Sequence, residues 1–305
     1  MILLIKMQKT IDKINKLKIE KNAIILAHFY QPEEIQEIAD FVGDSLELSK
    51  YAYKCTSDII IVCGVDFMAG SVKILNPSKK VLIPVGNATC PMANMVTAKD
   101  IINLRKEHPN AAVVTYINST VEVKAVSDIC CTSSNAINIV NSLPNEEIIF
   151  VPDNNLGSYV ARFTDKKIIL FNGYCPVHND ITIKDVLQAK YEHPKALFVV
   201  HPECRSEIID MADFTGSTAK IINYIGESDI NEFIIGTEEG ILTSLKKKYP
   251  NKKFYKLTNN FICFDMKKIR LQDLLNTLEL EQYEITLDEE MRIRALNTLK
   301  RMINL

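Results

Sequence analysis

Ala23-Ile24-Ile25-Leu26-Ala27-His28-Phe29-Tyr30 is a short apolar run that ends at an imidazole and a phenol. The pattern returns twice. Ala111-Ala112-Val113-Val114-Thr115 leads to Tyr116 and then Asn118, and Ala196-Leu197-Phe198-Val199-Val200 leads to His201 and then Glu203. Reading outward from each run gives further matches. Asp40, Asp128 and Asp213 follow at one shared spacing, and Ser45, Ser133 and Thr218 at another. The pairs Lys79-Lys80, Lys166-Lys167 and Lys252-Lys253 come next, and Cys90, Cys175 and Cys263 close the copies. Five such matches in one order point to a threefold internal repeat.

Each copy reads as short strands alternating with helices. In the first, Ala23–Ala27, Ile59–Val62 and Val81–Val85 are apolar and β-branched. A helix is expected from Pro32 to Ala39, with Glu33 and Glu34 placed favourably for its dipole. The second copy offers Val113-Val114, Ile148–Val151 and Ile168–Phe171, and the third Leu197–Val200, Glu232–Ile235 and Phe254–Leu257. This pattern predicts an α/β fold: three pseudo-symmetric α/β/α units with small parallel sheets covered on both faces. The units are placed at residues 1–93, 94–178 and 179–267. Residues 268–305 carry no fourth copy. Thr286-Leu287-Asp288-Glu289 reads as a capping box, and Ala295, Leu296, Leu299, Met302 and Ile303 keep a helical period, so a closing helix on the first unit is expected.

Composition narrows the function classes. The formal net charge of -2 gives no electrostatic case for nucleic acid or an anionic membrane as partner. No apolar run approaches the ~20 residues of a membrane span, and the first residues lack a signal-peptide pattern. The expectation is a cytoplasmic protein. Its eight cysteines then read as buried thiols, metal ligands or catalytic groups, not disulfides.

In an open parallel sheet, ligands bind beyond the carboxyl ends of the strands. The repeat places His28, Tyr30, Tyr116, Asn118, His201 and Glu203 there, a set rich in acid–base and hydrogen-bonding groups. Ser45, Ser133, Ser217 and Thr218 sit where small hydroxyl residues precede apolar-periodic stretches. They are helix caps by default, and anion sites if the helix starts face one cavity. Cys90, Cys175 and Cys263 each follow the third strand of a copy. Taken singly they are small buried hydrophobes. Taken together, three thiolates suit zinc, copper(I) or an iron–sulfur cluster and leave one position open for chemistry. His178, three residues from Cys175, is read as a contact to substrate or to the ligand shell. Cys55, Cys63, Cys130, Cys131 and Cys204 do not recur at equivalent positions, and Cys63 reads as core. His108 and His193 read as helix ends stopped by proline, and Glu238 and Glu239 as turn residues by default, with lining of the cavity as the alternative.

Several blocks together resemble one known family. They are Ala27-His28-Phe29-Tyr30-Gln31, Gly43-Asp44-Ser45, Ala88-Thr89-Cys90-Pro91-Met92-Ala93, Thr115-Tyr116-Ile117-Asn118, Cys131-Thr132-Ser133-Ser134-Asn135, Gly173-Tyr174-Cys175-Pro176-Val177-His178, His201-Pro202-Glu203, Gly216-Ser217-Thr218, Gly236-Thr237-Glu238 and Cys263-Phe264-Asp265-Met266-Lys267. In that order they are similar to quinolinate synthase, with Asn94 departing from an expected acidic residue. The resemblance implies three α/β units around a four-iron, four-sulfur (4Fe-4S) cluster held by Cys90, Cys175 and Cys263, with the fourth iron free for substrate. It implies condensation of iminoaspartate with dihydroxyacetone phosphate to quinolinate, with loss of phosphate and water, in NAD biosynthesis. A functional link to an enzyme that makes iminoaspartate follows. Within that chemistry Glu203 and Tyr30 are the leading acid–base pair. His28 and His201 orient or bind substrate, and Tyr116, Asn118, Ser45, Ser133, Ser217 and Thr218 hold anionic groups. Competing readings are another iron–sulfur or zinc dehydratase acting on a dicarboxylate, a non-catalytic iron–sulfur sensor, and a structural protein with casual cysteines.

Overall fold

The computed structural model describes residues 2–303. Three sheets of four parallel strands are flanked by helices. The first holds β1 (Ala23–His28), β2 (Phe41–Gly43), β3 (Ile59–Cys63) and β4 (Lys80–Leu82), in the order β2-β1-β3-β4. The second repeats that order with β5 (Ala112–Tyr116), β6 (Ile129–Cys131), β7 (Glu147–Val151) and β8 (Lys167–Leu170). The third repeats it with β9 (Leu197–Val200), β10 (Phe214–Thr215), β11 (Glu232–Gly236) and β12 (Lys253–Lys256). The central strands are buried on both faces, as their continuous apolar runs require. The outer strands β8 and β12 are partly exposed and begin with a lysine, which discourages edge pairing.

Each sheet has one strand more than its sequence pattern shows. β2, β6 and β10 are two or three residues long, too short for any periodic signal. What fixes them is the repeated aspartate. Asp40, Asp128 and Asp213 each accept the backbone N–H of Ile25, Val113 and Phe198 on the neighbouring strand, at 2.8, 2.7 and 2.7 Å. The carboxylate takes a donor that a two- or three-residue strand cannot reach.

The first lysine of each repeated pair is also structural. Lys79 donates to the carbonyl of Cys55, which ends the helix Ser45–Lys54. Lys166 reaches Leu143 and Asn145 beyond the helix Ala136–Ser142. Lys252 reaches Ile225, Ser228 and Ile230 at the end of Thr218–Glu227, at 2.6, 2.5 and 3.1 Å. A cation there answers both the unpaired carbonyls and the negative end of the helix dipole. Lys252→Met is therefore expected to lower stability by about 1–2 kcal/mol, read as a lower urea midpoint at unchanged slope.

The three units are not packed alike. The first two share one core, in which Leu26, Val62 and Val81 meet Val114, Phe150 and Leu156. The helix Glu289–Ile303 adds Ala295, Leu299 and Met302 to that core, so it closes the seam between both units, not the first alone. Its start is capped by Asp288, which accepts the Met291 amide at 2.9 Å, and not by Thr286. The helix Leu271–Leu280 packs on Ile14 of the helix Ile2–Glu20. The third unit has separate cores on the two faces of its own sheet.

Candidate active site

In a sheet ordered β2-β1-β3-β4 the connections leave the first strand in opposite directions, opening a crevice at its carboxyl end. His28 and Tyr116 are the last residues of β1 and β5, and His201 follows β9. The three crevices meet in one cavity of about 70 Å³. His28, Tyr30, Tyr116, Asn118, His201 and Glu203 all line it, as do Ser45, Ser133 and Thr218. Ser217 does not. It caps the helix Thr218–Glu227, accepting from the Lys220 amide at 3.3 Å.

The helix starts lie one or two residues from the expected positions. Asp44 caps Ser45–Lys54 in a capping box with Glu47, and Asn135 precedes Ala136–Ser142. Ser134 bonds the Asp44 carboxylate at 2.9 Å and the Ser217 hydroxyl at 2.7 Å. One hydroxyl of the second unit thus ties together the caps of the other two.

Glu203 is the electrostatic centre. Tyr116 donates to its Oε1 at 2.7 Å, and His178 Nδ1 stands 2.9 Å from its Oε2. His178 Nε2 meets Thr237 Oγ1 at 3.0 Å, and Thr237 Oγ1 meets Tyr30 Oη at 2.7 Å. These bonds form an unbroken chain Glu203–His178–Thr237–Tyr30, and a second bond joins Tyr30 to Thr218 at 2.9 Å. Burial alone would raise the Glu203 carboxyl. The His201 and His178 rings, with the hydrogen bonds from His178 and Tyr116, outweigh it and hold the group at about 2. Burial holds His28 and His201 down at about 3, so both rings are neutral near neutral pH. There the carboxylate rests on its hydrogen bonds more than on their charge. Burial and the Glu203 charge push the Tyr30 and Tyr116 phenols well up, which keeps both as proton donors.

The tautomers follow from the backbone. The Tyr30 amide donates to His28 Nδ1 at 3.1 Å and the Glu203 amide to His201 Nδ1 at 3.3 Å. Each ring then carries its proton on Nε2; that of His201 points at Ser133 Oγ, 3.2 Å away. Asn118 Oδ1 is buried with no partner, a polar atom left for a ligand.

Cys90, Cys175 and Cys263 line the same cavity as free thiols. Each sits on a turn fastened to the end of its unit's third strand by an equivalent backbone bond. Asp66 donates to Ala88 at 2.9 Å, Asn154 to Gly173 at 2.7 Å and Glu239 to Phe261 at 3.0 Å. Amides of Met92 and Ala93 face the Cys90 sulfur, that of His178 faces Cys175, and those of Asp265 and Met266 face Cys263. Asp265 also accepts the Thr89 amide at 3.0 Å, joining the first and third cysteine turns. Burial pushes the Cys90 and Cys175 thiols well up and that of Cys263 to about 11, so an empty site would keep them protonated.

The other cysteines stand apart. Cys63, Cys130, Cys131 and Cys204 are core residues, and Cys55 ends a helix. His108 and His193 are helix C-caps. Thr237, Ser134 and Asp265 lie inside blocks that carry the family resemblance, but the sequence assigns none of them a role. Thr237 follows β11 and Asp265 follows Cys263, and neither position repeats in the other copies.

Residues 12–304 match the family described as Quinolinate synthetase A protein. The chain is 52% identical to Quinolinate synthase 2 of Methanosarcina acetivorans, over 96% of this chain and 94% of that protein. It is 54% identical to the quinolinate synthase of Clostridium perfringens, over 95% and 97%. It is 51% identical to that of Alkaliphilus metalliredigens, over 97% and 98%.

Proposed function

Because this chain belongs to the quinolinate synthetase A protein family, we propose that it condenses iminoaspartate with dihydroxyacetone phosphate to quinolinate, releasing phosphate and water, for NAD biosynthesis. The observation that carries this is the buried chain Glu203–His178–Thr237–Tyr30 beside three free cysteines. Serial dehydration and isomerisation need protons delivered and removed at fixed atoms, out of bulk water. Tyr30 Oη would hand its proton to substrate and be refilled through Thr237 with the His178 Nε2 proton, Glu203 stabilising the imidazolium that supplies it.

We assign a 4Fe-4S cluster to Cys90, Cys175 and Cys263. Sulfurs on a single tetrahedral ion would lie within about 3.8 Å of one another, given metal–sulfur bonds of about 2.3 Å. Among the described residues, the set of three donors within 4.8 Å is Cys175, His178 and Glu203, and the three cysteines stand wider apart. That spacing supports a cluster over one zinc ion. His178 and Glu203 are already engaged with each other. When bound, the cluster supplies a Lewis-acid iron for a substrate oxygen. The amides that face each sulfur would stabilise thiolate charge.

The rest of the cavity suits two carboxylates and a phosphate. Thr218 opens a helix whose first turn attracts anions, Ser45 offers its hydroxyl because Asp44 takes the amides of its helix, and Ser133, Tyr116 and Asn118 add neutral partners. His28 and His201, uncharged, offer Nε2–H groups that orient a substrate without locking it in an ion pair. No described helix is long and apolar enough to cross a membrane. We place the reaction among soluble metabolites of the cytoplasm, coupled to an enzyme that produces the short-lived imine. The test is an anaerobic incubation of the iron-loaded chain with both substrates. Quinolinate is the expected product, and its absence from an iron-replete sample would overturn the assignment.

A further inference from the structure

The third unit meets the first across a seam unlike that between the first two. Phe29, with Tyr30 and Val42, reaches from the first unit into the third unit's core. Beside this apolar contact the seam has a polar stretch. Gln36 donates to Phe29, Gln31 and Gly240 carbonyls at 2.8, 2.9 and 2.8 Å and accepts from Ser244 at 2.8 Å. Gly240 is forced at this point: an added Cβ would lie 2.7 Å from both the Phe29 carbonyl oxygen and Tyr30 Cα.

At the centre of the seam is a carboxylate that no step above uses. Glu238 is buried, and it accepts the Cys263 amide at 3.1 Å and the Gly240 amide at 2.7 Å. Lys267 Nζ pairs with it at 2.9 Å and donates to the Tyr30 carbonyl at 2.7 Å. One ion pair therefore touches the Cys263 turn, the Gly240 turn and the Tyr30 backbone together. We propose that Glu238 and Lys267 are a positioning pair that sets Tyr30 against the Cys263 turn and so holds the proton donor in register with the cavity. In the second unit, Asp153 occupies the equivalent strand end and lies near Glu203 of the third unit, and among the described residues no lysine pairs with it.

This rests on the assigned reaction for its kinetic arm and on structure alone for the other. In full-length, iron-loaded protein, Lys267→Met should lower kcat about tenfold to a hundredfold with iron content and KM little changed, the loss expected when a reacting group is displaced by a fraction of an ångström to an ångström. Lys267→Arg should recover most of it. In a Tyr30→Phe background the same change should cost less than about twofold, because two residues acting through one group are not additive. Equal losses in both backgrounds, or loss of iron, would reduce Lys267 to a general structural role and overturn the proposal. Hydrogen exchange gives the second arm, which stands even if no quinolinate is formed. Lys267→Met should speed exchange at residues 29–32 and 263–268 and leave Ala112–Tyr116 unchanged. No change at the seam, or faster exchange everywhere, would also overturn it.

Discussion

Glu203→Gln should lower kcat by about a thousandfold and leave iron content at the parental level. The substitution keeps the shape of the side chain, so the cavity stays packed. It removes the charge that makes the His178 ring a useful proton carrier. In the parent, Oε2 faces His178 Nδ1 at 2.9 Å and Oε1 receives Tyr116 at 2.7 Å. An amide can still accept from one of them through its oxygen. Its NH₂ must then face the other donor, leaving a buried clash of donors. Without the carboxylate, protonation of His178 has no counter-charge in a buried site, and Tyr30 is not refilled through Thr237. Turnover is the reading to take, with iron content and visible absorption measured in parallel. A Glu203→Gln protein with full iron and near-parental turnover would remove Glu203 from the chemistry.

Cys90→Ser, Cys175→Ser and Cys263→Ser should each abolish both iron binding and activity. The three positions come from three separate units, so no two can compensate for a third. A serine hydroxyl is a poor match for iron in a sulfur-rich site and stays protonated where even the thiols are pushed up by burial. Cys63→Ser is the control. Cys63 lies in β3 with a fully buried side chain and no contact with the cavity. It should cost about 1–3 kcal/mol of stability, the penalty for a buried hydroxyl, and keep its iron. Iron retained in any of the first three variants would break the proposed ligand set.

The repeat was legible because its markers do different jobs at equivalent places. The aspartates secure the short edge strands, the lysines close helix ends, and the cysteines gather at one mouth. Only the last of these concerns chemistry, yet all five series were needed to see the symmetry. What stayed hidden has physical reasons. β2, β6 and β10 are set by one carboxylate bond each and carry no hydrophobic period. Thr237 matters by distance to Tyr30 and His178, 207 and 59 residues away in sequence. Ser217 shares a motif with Thr218, but its side chain is spent on the helix cap and Ser134. The helix Glu289–Ile303 was visible from its period, while its neighbours were not: an apolar face of Ala295, Leu299 and Met302 fits either of two units and lies between both.

The convergence of three units on one open iron site is tested most directly by a Mössbauer spectrum of the anaerobic, iron-enriched chain with and without a substrate carboxylate. The expected result is about four iron atoms per chain, with one quarter of the signal shifting on addition of the ligand, as an iron without a cysteine would. One zinc per chain, or four iron atoms that all remain unmoved, would contradict it.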